Sequence, residues 1–349
     1  MNIALIGAGG IGTIHARAYQ KLGLKLAAVA DLRRETIDSQ PDLFAGARYY
    51  PTYQELLADP AIDVIDICLI NRLHAEVIRA AVAAGKHIFC EKTMAHDAAT
   101  SAELFSLLQA YPKNFQVGYM KRFFPATLKA LELLPQLGDI LTTHIRSYQG
   151  FEFTTDMYDQ PSWKPRPDGS PSQMRSFASG GMLNMAGSHM LDVMSQLVGP
   201  AQSVYAVNWA PPAYDAELSS NALFRMRNGS TTHFDVCLSP LSRAGLRQDG
   251  WDEKIEITGK LGRLEIFYVI WDQPQHHAPL LRYYSERTQS ITDYTFPKVD
   301  PFALELNSFL QDCASGKKST PGPLEGHTVD QLISACYQSA KSGQVVSID

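Results

Sequence analysis

The sequence lacks the features that mark several other classes of protein. Its five cysteines are odd in number and far apart, which argues against a disulfide framework or a zinc site. No apolar run reaches the ~18 residues of a membrane span, and no basic segment precedes the first apolar run as in a signal peptide. No Lys/Arg run exceeds two residues and the net charge is −5, so we expect no nucleic-acid or membrane partner. We expect reduced thiols and a cytoplasmic location.

The chain has 349 residues, of which 45% are hydrophobic, and this length favours two domains. Continuous apolar segments of strand length alternate with helical segments in the first third, which predicts a parallel sheet covered on both faces. The expected strands are Asn2–Ile6, Lys25–Ala30, Val64–Leu69, His87–Cys90 and Phe115–Gly118, and the expected helices are Ile11–Leu22, His74–Ala84 and Ala98–Gln109.

The pattern changes after about Arg122. Asn228-Gly229 separates two strand-like runs, which predicts a hairpin with a type I′ turn, and Lys260-Leu261-Gly262 predicts a second hairpin. An antiparallel or mixed sheet is therefore expected here, with helices at Ala126–Leu134, Phe302–Ala314 and Gly326–Lys341. Residues 151–178 are rich in Pro, Ser, Gly and Asp, and so long a loop is usually functional or mobile.

A glycine motif follows the first strand and opens a helix, in the order Gly7-Ala8-Gly9-Gly10-Ile11-Gly12. Gly7 permits a tight turn, Gly9 permits close approach of the backbone to a pyrophosphate, and Gly12 permits close packing of the helix on the sheet. The N–H groups at the start of the helix, with Gly10 and Ile11, would face the phosphates.

Asp31 ends the second strand, nineteen residues after Gly12. A carboxylate at this position can accept hydrogen bonds from both ribose hydroxyls of the adenosine half, and it repels a 2′-phosphate. Arg33 and Arg34 follow and could hold such a phosphate. The motif therefore predicts a dinucleotide site that prefers NAD to NADP.

Further landmarks make the sequence resemble the glucose–fructose oxidoreductase/inositol dehydrogenase (Gfo/Idh/MocA) family. Asp66-Ile67-Cys68 leads to Asn71 and His74, and Glu91-Lys92-Thr93 resembles the family's Glu-Lys-Pro signature with threonine in place of proline. A further segment runs from Gly118 to Pro125 at the domain boundary. Gly180-Gly181 leads through His189 to Asp192, which resembles the helix that carries the family's histidine.

The resemblance implies an α/β fold in two domains with substrate between them. Residues 1–122 would form a Rossmann domain with a doubly wound parallel sheet, and residues 123–349 an α/β domain for substrate binding and oligomerisation on an open, largely antiparallel sheet. Beyond the glycine motif and Asp31, the expected cofactor-binding residues are Leu69, Asn71, His74, Glu91, Lys92 and Arg122. It also implies a dehydrogenase of a sugar, inositol or sugar derivative, and a homo-oligomer, as a dimer or tetramer.

Hydride removal from a carbinol carbon requires a base for the hydroxyl proton. Lys92 lies just after the fifth strand, at the edge where such sheets bind ligands, and a cationic nicotinamide and burial would lower its pKa. His189 is the second candidate, since it could orient or exchange a proton with a substrate hydroxyl.

One departure from the family's pattern lies four residues before His189, where many members carry aspartate and this chain has Met185. Asn184 lies five residues before the histidine and would point elsewhere in a regular helix. A π-bulge around an inserted Ala186 would return Asn184 to the site. An amide can bind a hydroxyl but cannot act as its base, so proton transfer would fall to Lys92, His189 or another residue.

Other predictions are less specific. Tyr119, Lys121, Trp163 and Asp192 are expected near substrate, and the adjacent His276-His277 pair lacks a third ligand nearby, so we expect no metal. Two alternatives stay open. The chain could use transient oxidation by bound NAD for a redox-neutral elimination, hydration or glycosidic cleavage, or it could be a non-catalytic nucleotide or sugar sensor.

Overall fold

The computed structural model describes residues 1–150, 180–210, 216–270 and 278–348. The chain divides into two units, the first being Met1–Met120 with Asp300–Asp330, and the second Lys121–Val299 with Gln331–Asp349. The division after Met120 lies close to the boundary expected at residue 122. The segment Asp300–Asp330, however, belongs with the first unit and not with the second as the sequence suggested.

The first unit contains a six-stranded parallel sheet in the order β3-β2-β1-β4-β5-β6. Its strands are β1 (Ile3–Ile6), β2 (Ala28–Ala30), β3 (Arg48–Tyr50), β4 (Val64–Ile67), β5 (His87–Cys90) and β6 (Phe115–Val117). All side chains of β1, β2, β4 and β6 are buried, as expected for strands covered on both faces. The predicted doubly wound parallel sheet is therefore confirmed.

The helices of this unit connect the strands or return from the end of the chain. They are α1 (Gly10–Lys21), α2 (Arg34–Asp38), α3 (Tyr53–Leu57), α4 (Asn71–Ala83) and α5 (Ala98–Gln109), followed much later by α8 (Pro301–Ser315). Helix α8 packs on α1, which explains why the segment Asp300–Asp330 joins the first unit. A further helix, α9 (Pro323–Ser342), contributes residues to both units.

The second unit contains a nine-stranded mixed sheet in the order β14-β13-β12-β11-β7-β10-β9-β8-β15. Its strands are β7 (Ile140–Gly150), β8 (Ala201–Trp209), β9 (Ser219–Met226), β10 (Thr231–Ser239), β11 (Trp251–Gly259), β12 (Gly262–Phe267), β13 (Leu280–Ser285), β14 (Ser290–Thr295) and β15 (Val346–Ser347). Strands β7 and β10 pair in parallel and the other recorded pairs are antiparallel. This confirms the largely antiparallel sheet.

Helices of the second unit cover the sheet. They are α6 (Pro125–Leu133) and α7 (Ser188–Val198), with 3-10 turns at Met120–Phe123 and Leu134–Leu137 and a π-turn at Leu183–Gly187. Helix α6 packs on β12 and β13, and α7 packs on β7. Burial alternates along β11 and β12, so one face of those strands is buried against this layer. Within the described ranges, no helix combines the length and apolar character needed to cross a membrane.

The hairpin between β9 and β10 forms as predicted but with a different turn. Gly229 N–H donates to Met226 O at 3.0 Å, and Met226 N–H donates to Ser230 O at 2.9 Å. Gly229 has φ +89° whereas Asn228 is not among the residues with positive φ. A type I′ turn needs positive φ at both central residues. The connection is instead a three-residue loop with its last residue left-handed, so the predicted turn type is wrong.

Candidate active site

Protein packing requires glycine at two positions of the turn after β1. Gly7 has φ +95°, and a Cβ there would lie 2.6 Å from the carbonyl oxygen of Cys68. A Cβ on Gly12 would lie 1.9 Å from the carbonyl oxygen of Gly7. Both positions therefore require glycine for the fold, as the motif predicted.

Gly9 and Gly10 differ, because a Cβ at either position would meet no atom within 4 Å among the described residues. Helix α1 begins at Gly10, so its first N–H groups, including that of Ile11, lie at an exposed helix N-terminus with positive dipole character. Protein packing does not explain glycine at these two positions. Close approach of a phosphate to the backbone does, which fits the pyrophosphate of a dinucleotide.

Asp31 lies directly after β2 and is tied to the glycine turn. Its Oδ2 accepts a hydrogen bond from Ala8 N–H at 2.8 Å, and its Oδ1 accepts one from Arg33 N–H at 2.9 Å. Each carboxylate oxygen can accept a further hydrogen bond, so the group can still bind ribose hydroxyls. The guanidinium of Arg34 stacks over the ring of Tyr49, 5.1 Å from its centroid.

The loops after β4 and β5 are joined by buried side chains. The ring nitrogens of His74 lie 3.0 Å from Leu69 O and 2.7 Å from Thr93 O, and Asn71 donates to Thr93 Oγ1 at 3.0 Å. Burial lowers the pKa of His74 despite these contacts. His74 is fully buried and both ring nitrogens face backbone carbonyl groups, so it joins these two loops, and its contact with cofactor stays a prediction. Leu69 is half-buried beside Gly7.

Glu91 directs its carboxylate into the protein. Its Oε1 lies 3.1 Å from His15 Nε2, whose Nδ1 lies 2.9 Å from Asp66 Oδ2, and its Oε2 accepts from Lys92 N–H at 3.2 Å. Burial alone would lower the pKa of His15, but the charge of Asp66 leads the groups that raise it well above its usual value. Glu91 therefore orders the end of β5, and its contact with cofactor stays a prediction.

A second carboxyl group lies beside this pair. The ligand atoms of His15, Glu91 and Glu305 lie within 4.8 Å of one another. Glu305 is fully buried and neither carboxyl oxygen has a hydrogen-bond partner in the described part of the chain. Burial raises the pKa of Glu305 well above its usual value, which favours the neutral form of the group. The expectation of no metal stays a prediction.

Lys92 follows β5 directly, and its peptide bond with Thr93 is cis. The side chain is half-buried. Burial lowers the pKa of Lys92, and the negative charge of Glu91 opposes this only in part. A lysine with a lowered pKa can lose its proton more readily and act as a base. Lys92 therefore lies at the carboxyl edge of the parallel sheet. The glycine turn, which follows β1, lies at the same edge.

In the second unit, a π-turn spans Leu183–Gly187 and runs directly into α7. This confirms the predicted π-bulge. Asn184, Met185 and His189 are partly exposed, while the intervening residues 186–188 are buried. Because hydrogen bonds in a π-helix join residues five apart, the turn brings Asn184 and His189 to one side. Ser188 Oγ donates to Asn184 O at 2.7 Å within the same turn.

Two residues that sequence reasoning missed hold the Asn184 side chain. Its Nδ2 donates to Tyr337 Oη at 3.1 Å, and that hydroxyl donates to Glu217 Oε1 at 3.0 Å. Glu217 also accepts from Leu183 N–H at 2.8 Å. Burial raises the pKa of Glu217. Residues 153 and 120 positions apart form these two contacts, so no local pattern could have revealed them.

Arg122 and Asp192 pair with each other. Arg122 Nε and Nη2 each donate to a carboxylate oxygen of Asp192 at 2.7 Å, and Asp192 is fully buried. Such a two-bond pair is strongly oriented. Asp192 is therefore held by Arg122, and its contact with substrate stays a prediction. Arg122 belongs to the second unit, and its role in cofactor binding stays a prediction.

Two further residues that were predicted to contact substrate, Lys121 and Tyr119, have buried side chains, and that role stays a prediction. Lys121 is 1% exposed, pairs with Glu253 and lies 4.6 Å from the ring centroid of Tyr268. Tyr119 is fully buried in the first unit. Trp163 and the pair His276-His277 lie outside the described residues.

Comparisons with known proteins agree with this geometry. Residues 1–119 match the model of an oxidoreductase family with an NAD-binding Rossmann fold, and residues 135–265 match that of the GFO/IDH/MocA C-terminal domain. An inositol 2-dehydrogenase of Agrobacterium fabrum is 32% identical, with 100% of this chain and 97% of the relative covered. D-xylose 1-dehydrogenase (NADP(+)) 2 of Haloferax volcanii is 24% identical, with 100% of both covered. A solved levoglucosan dehydrogenase in complex with NADH and levoglucosan has a TM-score of 0.84 at 21% identity, covering 100% of this chain and 99% of that chain.

Proposed function

The chain belongs to the GFO/IDH/MocA family of oxidoreductases, and we propose that it is an NAD-dependent dehydrogenase of a sugar, inositol or sugar derivative. The observation on which the proposal depends is the position of Lys92 and the direction of its pKa shift. Its pKa is lowered by burial, and it follows β5 at the sheet edge that also bears the glycine turn. A hydride acceptor and a base are the two components that oxidation of an alcohol requires.

Lys92 takes the proton from the substrate hydroxyl as the carbinol carbon is oxidised. NAD, when bound, accepts the hydride. Glu91 accepts the Lys92 N–H and so fixes the backbone from which this side chain extends. In the reverse direction, protonated Lys92 returns the proton to the new alkoxide.

Asn184 and His189 bind substrate hydroxyls in the second unit. Both side chains are partly exposed on one side of the π-turn. The amide of Asn184 can donate or accept a hydrogen bond but takes up no proton, while the imidazole of His189 can exchange one. The carboxylate that many family members carry near this position is thus replaced by a neutral group.

The preference for NAD over NADP rests on Asp31. Its carboxylate lies beside the glycine turn, where ribose hydroxyls can donate to it and a 2′-phosphate would be repelled. The positive charges of Arg33 and Arg34 would instead attract a 2′-phosphate and favour NADP, since both side chains are exposed close to Asp31. We expect the carboxylate to dominate because it is anchored by two backbone N–H groups.

The proposal is tested by incubating the purified protein with NAD or NADP and a panel comprising myo-inositol, D-xylose, D-glucose and levoglucosan. Net formation of NADH, with a higher kcat/KM for NAD than for NADP, is the expected result. Consumption of a substrate without net NADH would instead support redox-neutral chemistry. Tight NAD binding with no conversion of any sugar would support a sensor.

We also propose that the chain forms a homo-oligomer through the outer face of its second sheet. Tyr205, Val207, Trp209 and Leu223 are 43–52% exposed on strands β8 and β9. An apolar patch on an open sheet is typical of an interface between subunits. Light scattering of the wild type and of Val207→Glu would test this. None of the five cysteines forms a disulfide in the structure, which fits the proposal of a reducing, cytoplasmic compartment.

A further inference from the structure

The hydroxyl of Tyr337 has three hydrogen-bond partners in the second unit. It lies 3.0 Å from Glu217 Oε1, 3.3 Å from Gly181 N and 3.1 Å from Asn184 Nδ2. A phenolic hydroxyl has one proton to donate and two lone pairs that accept. The three contacts therefore use the whole capacity of the group.

The direction of each bond follows from groups that cannot change their role. Gly181 N–H is a backbone donor, so it occupies one lone pair of the Tyr337 oxygen. Leu183 N–H donates to Glu217 Oε1 at 2.8 Å, so that oxygen is an acceptor and receives the Tyr337 proton as well. The contact with Asn184 must then be made by an amide N–H that donates into the second lone pair.

This polarity holds for an ionised Glu217, whose Oε1 can only accept. Burial raises the pKa of Glu217, and the polarity also holds for the neutral group with its proton on Oε2. An uncharged carboxyl group still offers Oε1 as an acceptor.

Two glycines make room for this arrangement. Gly180 has φ +94°, and a Cβ there would lie 2.3 Å from Asn184 Nδ2. A Cβ on Gly181 would lie 2.1 Å from Glu217 Oε2. Any other residue at either position would displace a member of the network. The glycine pair before the π-turn therefore leaves the space that the side chains of Asn184 and Glu217 occupy.

We propose that Glu217 and Tyr337 are positioning residues that lock the Asn184 amide with Nδ2 inward and Oδ1 presented to substrate, so that the site selects a hydroxyl that donates its proton to Oδ1. The proposal rests on the proposed role of Asn184 as a substrate ligand. Among the described residues, no hydrogen bond engages Oδ1, and the side chain is partly exposed. A freely rotating amide would present either its oxygen or its nitrogen, whereas the locked amide keeps the acceptor Oδ1 on the outer side.

The first test is a double-mutant cycle on kcat/KM with the panel sugar that the wild type oxidises fastest. Tyr337→Phe and Asn184→Ala should each lower kcat/KM by about ten-fold, the loss expected for one hydrogen bond. In the Tyr337→Phe background, Asn184→Ala should cost less than about three-fold, because the amide is no longer oriented. Tyr268→Phe is the control, since it removes another buried hydroxyl, bonded to Thr127, and should leave the full effect of Asn184→Ala.

Effects that multiply fully in the double variant would overturn the proposal, because Tyr337 would then act independently of Asn184. An Asn184→Ala variant with wild-type kcat/KM would refute the role of Asn184 itself. Both outcomes are distinct from a wild type that oxidises no sugar in the panel, which contradicts the proposed function.

A second test separates positioning by Glu217 from proton transfer. Glu217→Gln keeps a carbonyl oxygen for Leu183 N–H and Tyr337, so it should retain kcat/KM within about three-fold. Glu217→Leu keeps the approximate size without an acceptor and should resemble Tyr337→Phe. A loss of several orders of magnitude in Glu217→Gln would instead identify Glu217 as a proton-transfer group.

A third measurement does not require turnover. The side-chain ¹H–¹⁵N signals of Asn184, identified by their loss in Asn184→Ala, should shift in Tyr337→Phe and Glu217→Leu but stay near the wild-type position in Glu217→Gln. Unchanged signals in Tyr337→Phe would contradict an amide locked by that hydroxyl.

Discussion

Asn184 and His189 lie five positions apart across a π-turn, and both are partly exposed while the residues between Met185 and His189 are buried. In a regular α-helix, residues five apart diverge by about 140° around the axis. The extra residue in the π-turn therefore brings the amide of Asn184 and the imidazole of His189 to the same side.

The first prediction concerns the imidazole of His189. His189→Ala should lower kcat/KM for the best panel sugar by about 10²–10⁴-fold, the range for loss of an acid–base group. Affinity for NAD, measured by fluorescence titration, should be unchanged. Ser195→Ala on the same helix is the control and should behave as wild type. Equal losses in both variants would mean that disturbance of α7, and not loss of the imidazole, lowers the rate.

The pH dependence of oxidation tests Lys92. A base must be unprotonated, so kcat/KM should rise with pH and level off above the Lys92 pKa. Burial lowers that pKa, so the plateau should begin below the ordinary lysine value of about 10.4. Lys92→Met should lower kcat by orders of magnitude and abolish this rise while NAD still binds, whereas Lys25→Met at an exposed site should change neither. A rise that persists in Lys92→Met would assign the base elsewhere.

Two glycines of the first turn should respond in opposite ways to alanine. A Cβ on Gly12 would lie 1.9 Å from Gly7 O, so Gly12→Ala should lower the midpoint of thermal unfolding markedly. A Cβ on Gly9 would meet no described atom within 4 Å, so Gly9→Ala should unfold near the wild-type temperature. It should nevertheless weaken NAD binding, because the methyl group would obstruct the pyrophosphate. Wild-type NAD affinity in Gly9→Ala would argue against a pyrophosphate at this turn.

Asp31 is predicted to set affinity for the adenosine ribose. Asp31→Ala removes hydrogen bonds to a charged acceptor and should weaken NAD binding by roughly 10- to 100-fold. NADP binding should weaken less or improve, since repulsion of the 2′-phosphate is removed. Calorimetric titration of both cofactors measures the ratio, with Asp42→Ala as an exposed control. A ratio that does not move would show that Asp31 does not contact the ribose.

Glu305 is expected to destabilise the folded chain. Replacing its buried, unpartnered carboxyl group with Glu305→Leu should raise the free energy of unfolding by about 1–3 kcal/mol. The folded pKa is raised, so the wild type is relatively most stable below the unfolded pKa of about 4.3 and loses stability as pH rises. The advantage of Glu305→Gln over wild type should therefore grow with pH in denaturant titrations. An advantage that shrinks with pH would mean that the ionised carboxylate is stabilised in the fold.

Local sequence patterns predicted the elements that depend on neighbours in the chain. Helix Ala98–Gln109 and strand His87–Cys90 have the predicted bounds, because periodicity and caps act within a few residues. The contacts made by Asp192 and Lys121 were not predictable in this way, since each pairs with a residue 70 or 132 positions away. A charged residue near a motif can therefore be predicted to bind a ligand although, in the folded chain, its side chain is buried and paired with a residue far away in the sequence.

Local sequence was sufficient to predict the glycine turn, the carboxylate after β2 and the lysine after β5, since each depends on backbone geometry within one strand–turn–helix unit. It also indicated the π-turn, from the spacing of one asparagine and one histidine. The contact of Glu91 with His15 and the contacts of Asn184 with Tyr337 and of Tyr337 with Glu217 are visible only in the folded chain. Those roles depend on hydrogen-bond direction and burial, which arise when segments far apart in the chain pack together.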